Sequence, residues 1–274
     1  MKVAILYHDN CYDGAAAAAA AMMWCRENDH TAEVVPQRYN NAPPSVGQFD
    51  RVLVVDFSYP REVMEKLAAE AKEIVVYDHH KTAQEALVGL PYVVFDMNRS
   101  GAGITYDELF PGDRRPWWVS YAEDRDLWKF VLPNSKEINS FFQTLRPVPE
   151  TFLDLGNDAH SKDLAIQLGT GAQMFIDCYV REMNDNLKRR CQVEEYPDIP
   201  VLNVPYKETS SVVGEAAHYA LFAIGWHQSG NGKYLYSLRS ASWGSNFDVS
   251  EFAKRFGGGG HRNAAGFNAD KQLW

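Results

Sequence analysis

The feature that most constrains the fold is a repeated pattern of short, wholly apolar runs that end on an acid or a histidine. Residues 2–8 (KVAILYH) end at His8, and residues 51–56 (RVLVVD) end at Asp56. Residues 73–78 (EIVVYD) end at Asp78 and run straight into His79 and His80. A further run over 92–95 stops before Asp96. Such runs predict strands buried on both faces. The amphipathic helix predicted over 61–72 makes the pattern that of a parallel α/β sheet. In these sheets ligands bind outside the carboxyl ends of the strands. His8, Asp56, Asp78, His79 and His80 fall there, with Asp13 in the turn after the first strand.

That turn, Asp9-Asn10-Cys11-Tyr12-Asp13-Gly14, leads into seven alanines at 15–21. Alanine is the best helix former, and its small side chain lets a helix lie close to its neighbours. Gly14 opens this helix, whose N-terminus favours an anion. Helical periodicity follows over 100–110, 116–128 and a long proline-free stretch at 163–191. Pro197 and Pro200 break it. A second α/β pattern then predicts strand 201–204, helix 210–224, strand 234–239 and helix 249–256. We therefore expect an α/β protein with a parallel-sheet domain at 1–160, a helical connector at 161–194 and a smaller α/β C-terminal domain at 195–274.

Composition removes whole classes. The 274 residues allow one large or two modest domains, and 46% hydrophobic with 23% charged residues excludes disorder and collagen-like repeats. A net charge of −9 opposes coating of long duplex DNA, which needs a basic face. Short anionic ligands remain, wherever metals or local Lys/Arg reverse the field. Cys11, Cys25, Cys178 and Cys191 include no C-x-x-C pair, which argues against a disulfide scaffold and a zinc ribbon. There is no run of ~18 apolar residues for a membrane span. The N-terminal apolar stretch is short for a signal peptide. We expect a cytoplasmic protein with no membrane partner.

A single acid at a strand end often only caps the next helix. Several on one rim repel one another unless cations neutralise them. Mixed carboxylate and imidazole donors suit manganese, iron or magnesium better than a thiolate site does. Two adjacent ions clamp the attacking and leaving oxygens of a phosphoryl transfer.

Taken together these motifs resemble the DHH phosphoesterase superfamily with its C-terminal DHH-associated domain. That group includes RecJ-type exonucleases, nano-RNases, cyclic dinucleotide phosphodiesterases and family II pyrophosphatases. The resemblance rests on the His8-to-Asp13 turn, Val54-Val55-Asp56, the signature Asp78-His79-His80, an acid near Asp124 and Gly257-Gly258-Gly259-Gly260-His261. It implies metal ligands at His8, Asp13, Asp56, Asp78, His79 and Asp124, with Asp56 bridging two ions. It implies catalytic roles for His80, Asp78 and the fourth-motif acid, with Asp124 favoured as that acid and Asp126 as its support, a choice the sequence leaves open. It also implies that Ser100-Gly101-Ala102-Gly103 starts a helix facing the site. Arg239, Ser240, Gly258, Gly259, Gly260 and His261 become the implied substrate contacts. The implied cofactor is manganese, one or two ions, with magnesium or cobalt as substitutes.

One position departs from the pattern. Cys11 stands where most members carry the first acid of an Asp-x-Asp pair, which weakens that metal position or changes its metal. The thiol either ligates or packs as a small hydrophobe. The expected activity is hydrolysis of short oligonucleotides or nucleotide phosphodiesters, of phosphodiesterase or exonuclease type. The partner would be a short single-stranded nucleic acid or a nucleotide. Alternatives are a phosphomonoesterase acting on nucleoside bisphosphates and a nucleotide-binding module without turnover. The chain offers no room for the extra domains of long-DNA exonucleases. The nucleotide-directed glycine motif disfavours a pyrophosphatase. Trp117, Trp118 and Trp128 are expected in the core, whereas Trp226 or Trp243 could stack on a base.

Overall fold

The apolar runs become strands β1 (Lys2–His8), β2 (Thr31–Gln37), β3 (Arg51–Val55), β4 (Ile74–Asp78) and β5 (Val93–Phe95). They form one sheet in the order β2-β1-β3-β4-β5, with every pairing parallel. The computed structural model describes residues 1–39, 41–241 and 246–274. The chain divides into two units, residues 1–173 and 174–274.

Alternate residues of one strand serve opposite faces of this sheet. Val3, Ile5, Tyr7, Leu53 and Val55 pack in one cluster with helices α1 (Tyr12–Glu27), α4 (Gly101–Leu109) and α5 (Trp117–Asp126). Ala4, Leu6, Val52, Val54 and Val76 face the other way, onto Met64 and Leu67 of α2 (Arg61–Glu70). All seven alanines of α1 are fully buried, so the helix lies against both β1 and α4. Strand β2 has no sequence signature. It is an edge strand with one half-open side, its residues alternate in burial, and it tolerates Pro36 as only an edge can. Helix α3 (Lys81–Leu87) follows β4 directly.

Three helices complete the first unit: α6 (Ser135–Thr144), α7 (Pro149–Leu155) and the long α8 (Ala159–Asn186), within which the division at residue 173 falls. Gly169 on α8 is buried against α6, where a Cβ would lie 2.6 Å from the Glu137 carbonyl carbon and 3.2 Å from Phe141 Cβ. Gly171 is exposed, and a Cβ there would meet nothing within 4 Å. The two glycines should therefore answer alanine with opposite signs. Gly169→Ala should destabilise by about 1–3 kcal/mol through overpacking. Gly171→Ala should stabilise by about 0.5–1 kcal/mol through helix propensity. Chemical denaturation of the two variants checks this, and equal signs would contradict the packing described.

In the second unit β6 (Arg189–Val193), β7 (Tyr196–Asn203), β8 (Ala223–Gln228), β9 (Tyr234–Arg239), β10 (Gly259–His261) and β11 (Ala264–Ala269) make a sheet ordered β10-β11-β9-β8-β7-β6. Only β7 and β8 run parallel; the remaining pairings are antiparallel. Helices α9 (Thr209–Ala217) and α10 (Val249–Lys254) accompany it. Two predicted helices were too long. The one predicted over 210–224 stops at Ala217, because residues 223–228 pair with both β7 and β9. The one predicted over 163–191 ends at Asn186, and 189–191 belong to β6, so the expected connector includes strand. Of the tryptophans expected in the core, Trp118 is buried and Trp117 partly so, whereas Trp128 is exposed at 45%. Trp226 is partly buried beside Tyr234, and Trp243 lies outside the described residues. No helix among the described residues is long and apolar enough to cross a membrane.

Candidate metal centre

The strand ends converge as the sequence predicts, and Asp56 is their hub. It follows β3 with a left-handed backbone, φ 51°, which aspartate tolerates better than most side chains. Its amide donates to the Tyr77 carbonyl at 2.9 Å, which ties the turn to β4. The carboxylate is 1% exposed. Its Oδ2 lies 3.5 Å from His8 Nδ1 and its Oδ1 3.3 Å from His79 Nε2. His79 Nε2 also stands 3.2 Å from Asp126 Oδ2 and 3.9 Å from Asp13 Oδ2. Three donor sets share Asp56: His8, Cys11 and Asp56; Asp13, Asp56 and His79; and Asp56, Asp78 and His80, with all donor atoms of a set within 4.8 Å of one another.

Glycines make this approach possible. A Cβ on Gly101 would stand 2.7 Å from Asp56 Cα and 2.8 Å from its Oδ1. One on Gly14 would stand 2.8 Å from His8 Cβ and 3.2 Å from Asp56 Oδ2. Ser100 caps α4 by accepting from Gly103 N at 3.2 Å, and the same helix start donates Ala102 N to both Asp13 oxygens at 3.3 Å. The expected helix start beside the site is therefore present, as a seat for Asp13.

Buried carboxylates and imidazoles set the electrostatics of the site. Burial raises the Asp13 carboxyl well above the usual carboxylate range, and Asp56 and Asp126 push it further. Burial also opposes ionisation of Asp56, but His79 and His8 outweigh it and hold this group well below the ordinary value. Burial by itself lowers the His79 pKa. Facing Asp126, Asp56 and Asp13 more than reverses this and holds the imidazole at about 10. Neither Asp56 oxygen nor His8 Nδ1, all sealed from solvent, makes a well-formed hydrogen bond among the described residues. Buried polar atoms normally have partners. Carboxylate and imidazole atoms left this way are the donors a divalent cation requires, so the residues fit a metal.

Asp78, Asp56 and His80 form a further group that could hold a cation, and the Asp78 oxygens also accept hydrogen bonds. Its Oδ1 accepts from the amides of His79 at 2.7 Å and His80 at 3.2 Å and faces His80 Nδ1 at 2.7 Å. Its Oδ2 accepts from Ser58 Oγ at 2.7 Å. It lies near Asp56 and orients His80. The His80 pKa is lowered by burial and raised, on balance, by Asp78. Ser58 went unnoticed in the sequence because a lone serine after a strand has no signature.

The expectation for Asp124 is corrected. Its two oxygens accept from the amides of Val131 at 3.1 Å and Leu132 at 3.2 Å, so it closes the loop after α5. Asp126 is the acid beside His79. Residues two apart on a helix do not share a face, so only one of the pair can reach the site. Asp124→Asn should cost about 1–3 kcal/mol of stability through the weakened amide acceptor and leave cation affinity nearly unchanged. Asp126→Asn should lower cation affinity with little loss of stability. Calorimetric titration and denaturation together check the pair; the reverse assignment of effects would restore Asp124.

In the second unit, Arg239 ends β9, with Nη2 donating to Ser210 Oγ at 2.7 Å. Ser240 is buried and donates to the Phe247 carbonyl at 2.9 Å while accepting from Asn263 Nδ2 at 3.0 Å. This hydroxyl joins loops and is not a free ligand contact. The expected glycine loop is in part a strand: Gly259, Gly260 and His261 form β10 against β11. A Cβ on Gly258 would meet Phe267 Cα at 2.9 Å, and one on Gly260 would meet Ala265 Cα at 2.8 Å. These two glycines serve close strand packing.

No protein-family model matches the chain. An uncharacterized protein of Acanthamoeba polyphaga mimivirus is 31% identical over 228 residues, covering 78% of this chain and 52% of that protein. The chain thus spans about half the length of the curated relative it matches. Among solved structures, RecJ of Thermus thermophilus in complex with Mn2+ aligns over 98% of this chain and 49% of its own, with a TM-score of 0.61 and 16% identity. The DHH domain of a protein assigned to a ribosomal-protein family aligns over 97% of this chain and 82% of its own, with a TM-score of 0.59 and 12% identity. A pGpG-specific phosphodiesterase of Vibrio cholerae aligns over 98% and 93%, with a TM-score of 0.50 and 12% identity. The chain has the fold of these DHH-domain proteins. Its signature triplet, Asp78-His79-His80, ends the fourth strand of the sheet, beside Asp56.

Proposed function

We propose that this protein is a metal-dependent phosphodiesterase that hydrolyses short oligonucleotides or nucleotide phosphodiesters. One observation carries the reading: donor sets that converge on the buried, unsatisfied Asp56 at the carboxyl ends of parallel strands. His8, Cys11 and Asp56 would hold one cation, and Asp13, Asp56, His79 and Asp126 the other. Such a pair supplies an activated water and Lewis-acid stabilisation of phosphoryl oxygens. Asp78 orients His80 through Nδ1 and favours its protonated form, in which Nε2 would donate to a phosphoryl oxygen. Gly14 and Gly101 bring helices α1 and α4 against the hub, which keeps its carboxylate in place.

The RecJ structure in complex with Mn2+ supports manganese as the ion. The Vibrio phosphodiesterase named for pGpG supports a short substrate, as does the net charge of −9. Arg239 and His261 are the proposed contacts for the non-scissile part of the substrate, and a cytoplasmic location goes with the proposal. The test is incubation of the Mn2+-loaded protein with a dinucleotide, longer single strands, a cyclic dinucleotide and a nucleoside 3′,5′-bisphosphate. Mononucleotides should accumulate from the dinucleotide, and chelation should stop the reaction. Phosphate release from the bisphosphate alone would make the protein a phosphomonoesterase. An intact, retained dinucleotide would make it a binding module.

A further inference from the structure

We infer that the two cation positions are chemically unlike, and that the His8–Cys11–Asp56 position uses the Cys11 thiolate to select zinc, cobalt or iron(II) over magnesium. The inference rests on the metal-dependent reading above and goes beyond it by assigning different ions to the two positions.

Three observations support it. The Cys11 sulfur, a His8 ring nitrogen and an Asp56 oxygen lie within 4.8 Å of one another. Donors around one tetrahedral cation stand roughly 3–4 Å apart, so only small side-chain rotations separate this set from coordination. Second, the partners are poised: Asp56 is 1% exposed, and neither its oxygens nor His8 Nδ1 makes a well-formed hydrogen bond. Third, Cys11 is half-buried among acids. Burial, and then Asp56, Asp126 and Asp13, hold the thiol well above its ordinary pKa, so a bound cation is what would release its proton. It is a free cysteine at the N-cap of α1.

The donor sets then divide by softness. Asp13, Asp56, His79 and Asp126 offer three carboxylates and one imidazole, a set that suits manganese or magnesium. His8, Cys11 and Asp56 offer one imidazole, one thiolate and one carboxylate. Thiolate favours zinc and other borderline ions, and magnesium, which keeps oxygen ligands and much of its water, is poorly served.

The test is a cobalt titration followed by absorption. The wild-type protein should develop a near-ultraviolet thiolate-to-cobalt charge-transfer band that saturates at one equivalent. The band should vanish in Cys11→Ser and persist in the Cys178→Ser/Cys191→Ser double variant. In competition with a chelating dye, Cys11→Ser should weaken zinc at one of two positions. The loss should be at least the 10–100-fold that follows removal of a metal ligand's supporting partner. Manganese at the other position should hold, which also shows that the variant is folded. Cys11→Asp should shift the weakened position toward manganese. Two bound equivalents of cobalt with no charge-transfer band, or a band that survives Cys11→Ser, would overturn the inference and leave the phosphodiesterase reading standing. A wild-type protein that binds no divalent cation would overturn both.

Discussion

Asp56→Asn should abolish the two-ion stoichiometry and reduce phosphodiester turnover by about 10³-fold or more, since a catalytic metal contributes several kcal/mol to the barrier. Asp56 belongs to both proposed cation positions, so its loss is compensated at neither. Asparagine is the informative replacement. It keeps the shape of the side chain and tolerates the left-handed backbone at φ 51°. It also keeps the amide donation to the Tyr77 carbonyl. The fold should therefore survive, and the loss should be read as lost charge and lost donors. Calorimetric titration with Mn2+ and the dinucleotide assay measure the two effects. Retention of two ions or of wild-type turnover would remove Asp56 from the centre of the mechanism.

Gly101→Ala should be nearly as damaging while changing no donor at all. Its Cβ would press on Asp56 Cα at 2.7 Å, which is backbone and cannot rotate away. Either the turn at Asp56 or the start of α4 must move. The start of α4 also seats Asp13 through Ala102 N, so a shift there disturbs a second donor. Overpacking of this kind costs about 1–3 kcal/mol of stability. A displacement of ~1 Å is enough to cost on the order of 100-fold in a reaction that depends on position. Denaturation and cation titration on the same preparation separate the two effects. A destabilised variant that still binds both ions with wild-type affinity would show that the close approach does not position the hub.

Much of the candidate site was legible because the donors sit where strand grammar ends. An apolar run buried on both faces cannot include Asp or His, so the first such residue marks the strand end. His8, Asp56, Asp78 and His79 were found in that way. Sequence spacing could not say which atoms of these residues are already engaged. Asp78 reads as one more acid at a strand end, yet Ser58, the two following amides and His80 also bond to its oxygens. Asp124 and Asp126 are indistinguishable by type and lie two apart. Only the rotation of α5 and the loop that folds back onto Asp124 separate them. In the second unit, residues 223–228 carry no strand alternation, and their pairing on both sides overrides the helical reading.

The sequence alone determined that a parallel α/β sheet would gather acids and histidines on one rim, because two-sided burial and the 3.6-residue period are local properties of the chain. It also singled out Cys11 as the odd donor. Only the tertiary structure decided that Asp56 is the hub, that Asp126 rather than Asp124 joins it, that Asp78 serves His80, and that Cys11 stands with His8. Each of these depends on separations of 2.7–3.9 Å or on donor atoms within 4.8 Å of one another. Such distances are set by helices packing on a sheet through glycines. No periodicity along the chain encodes them.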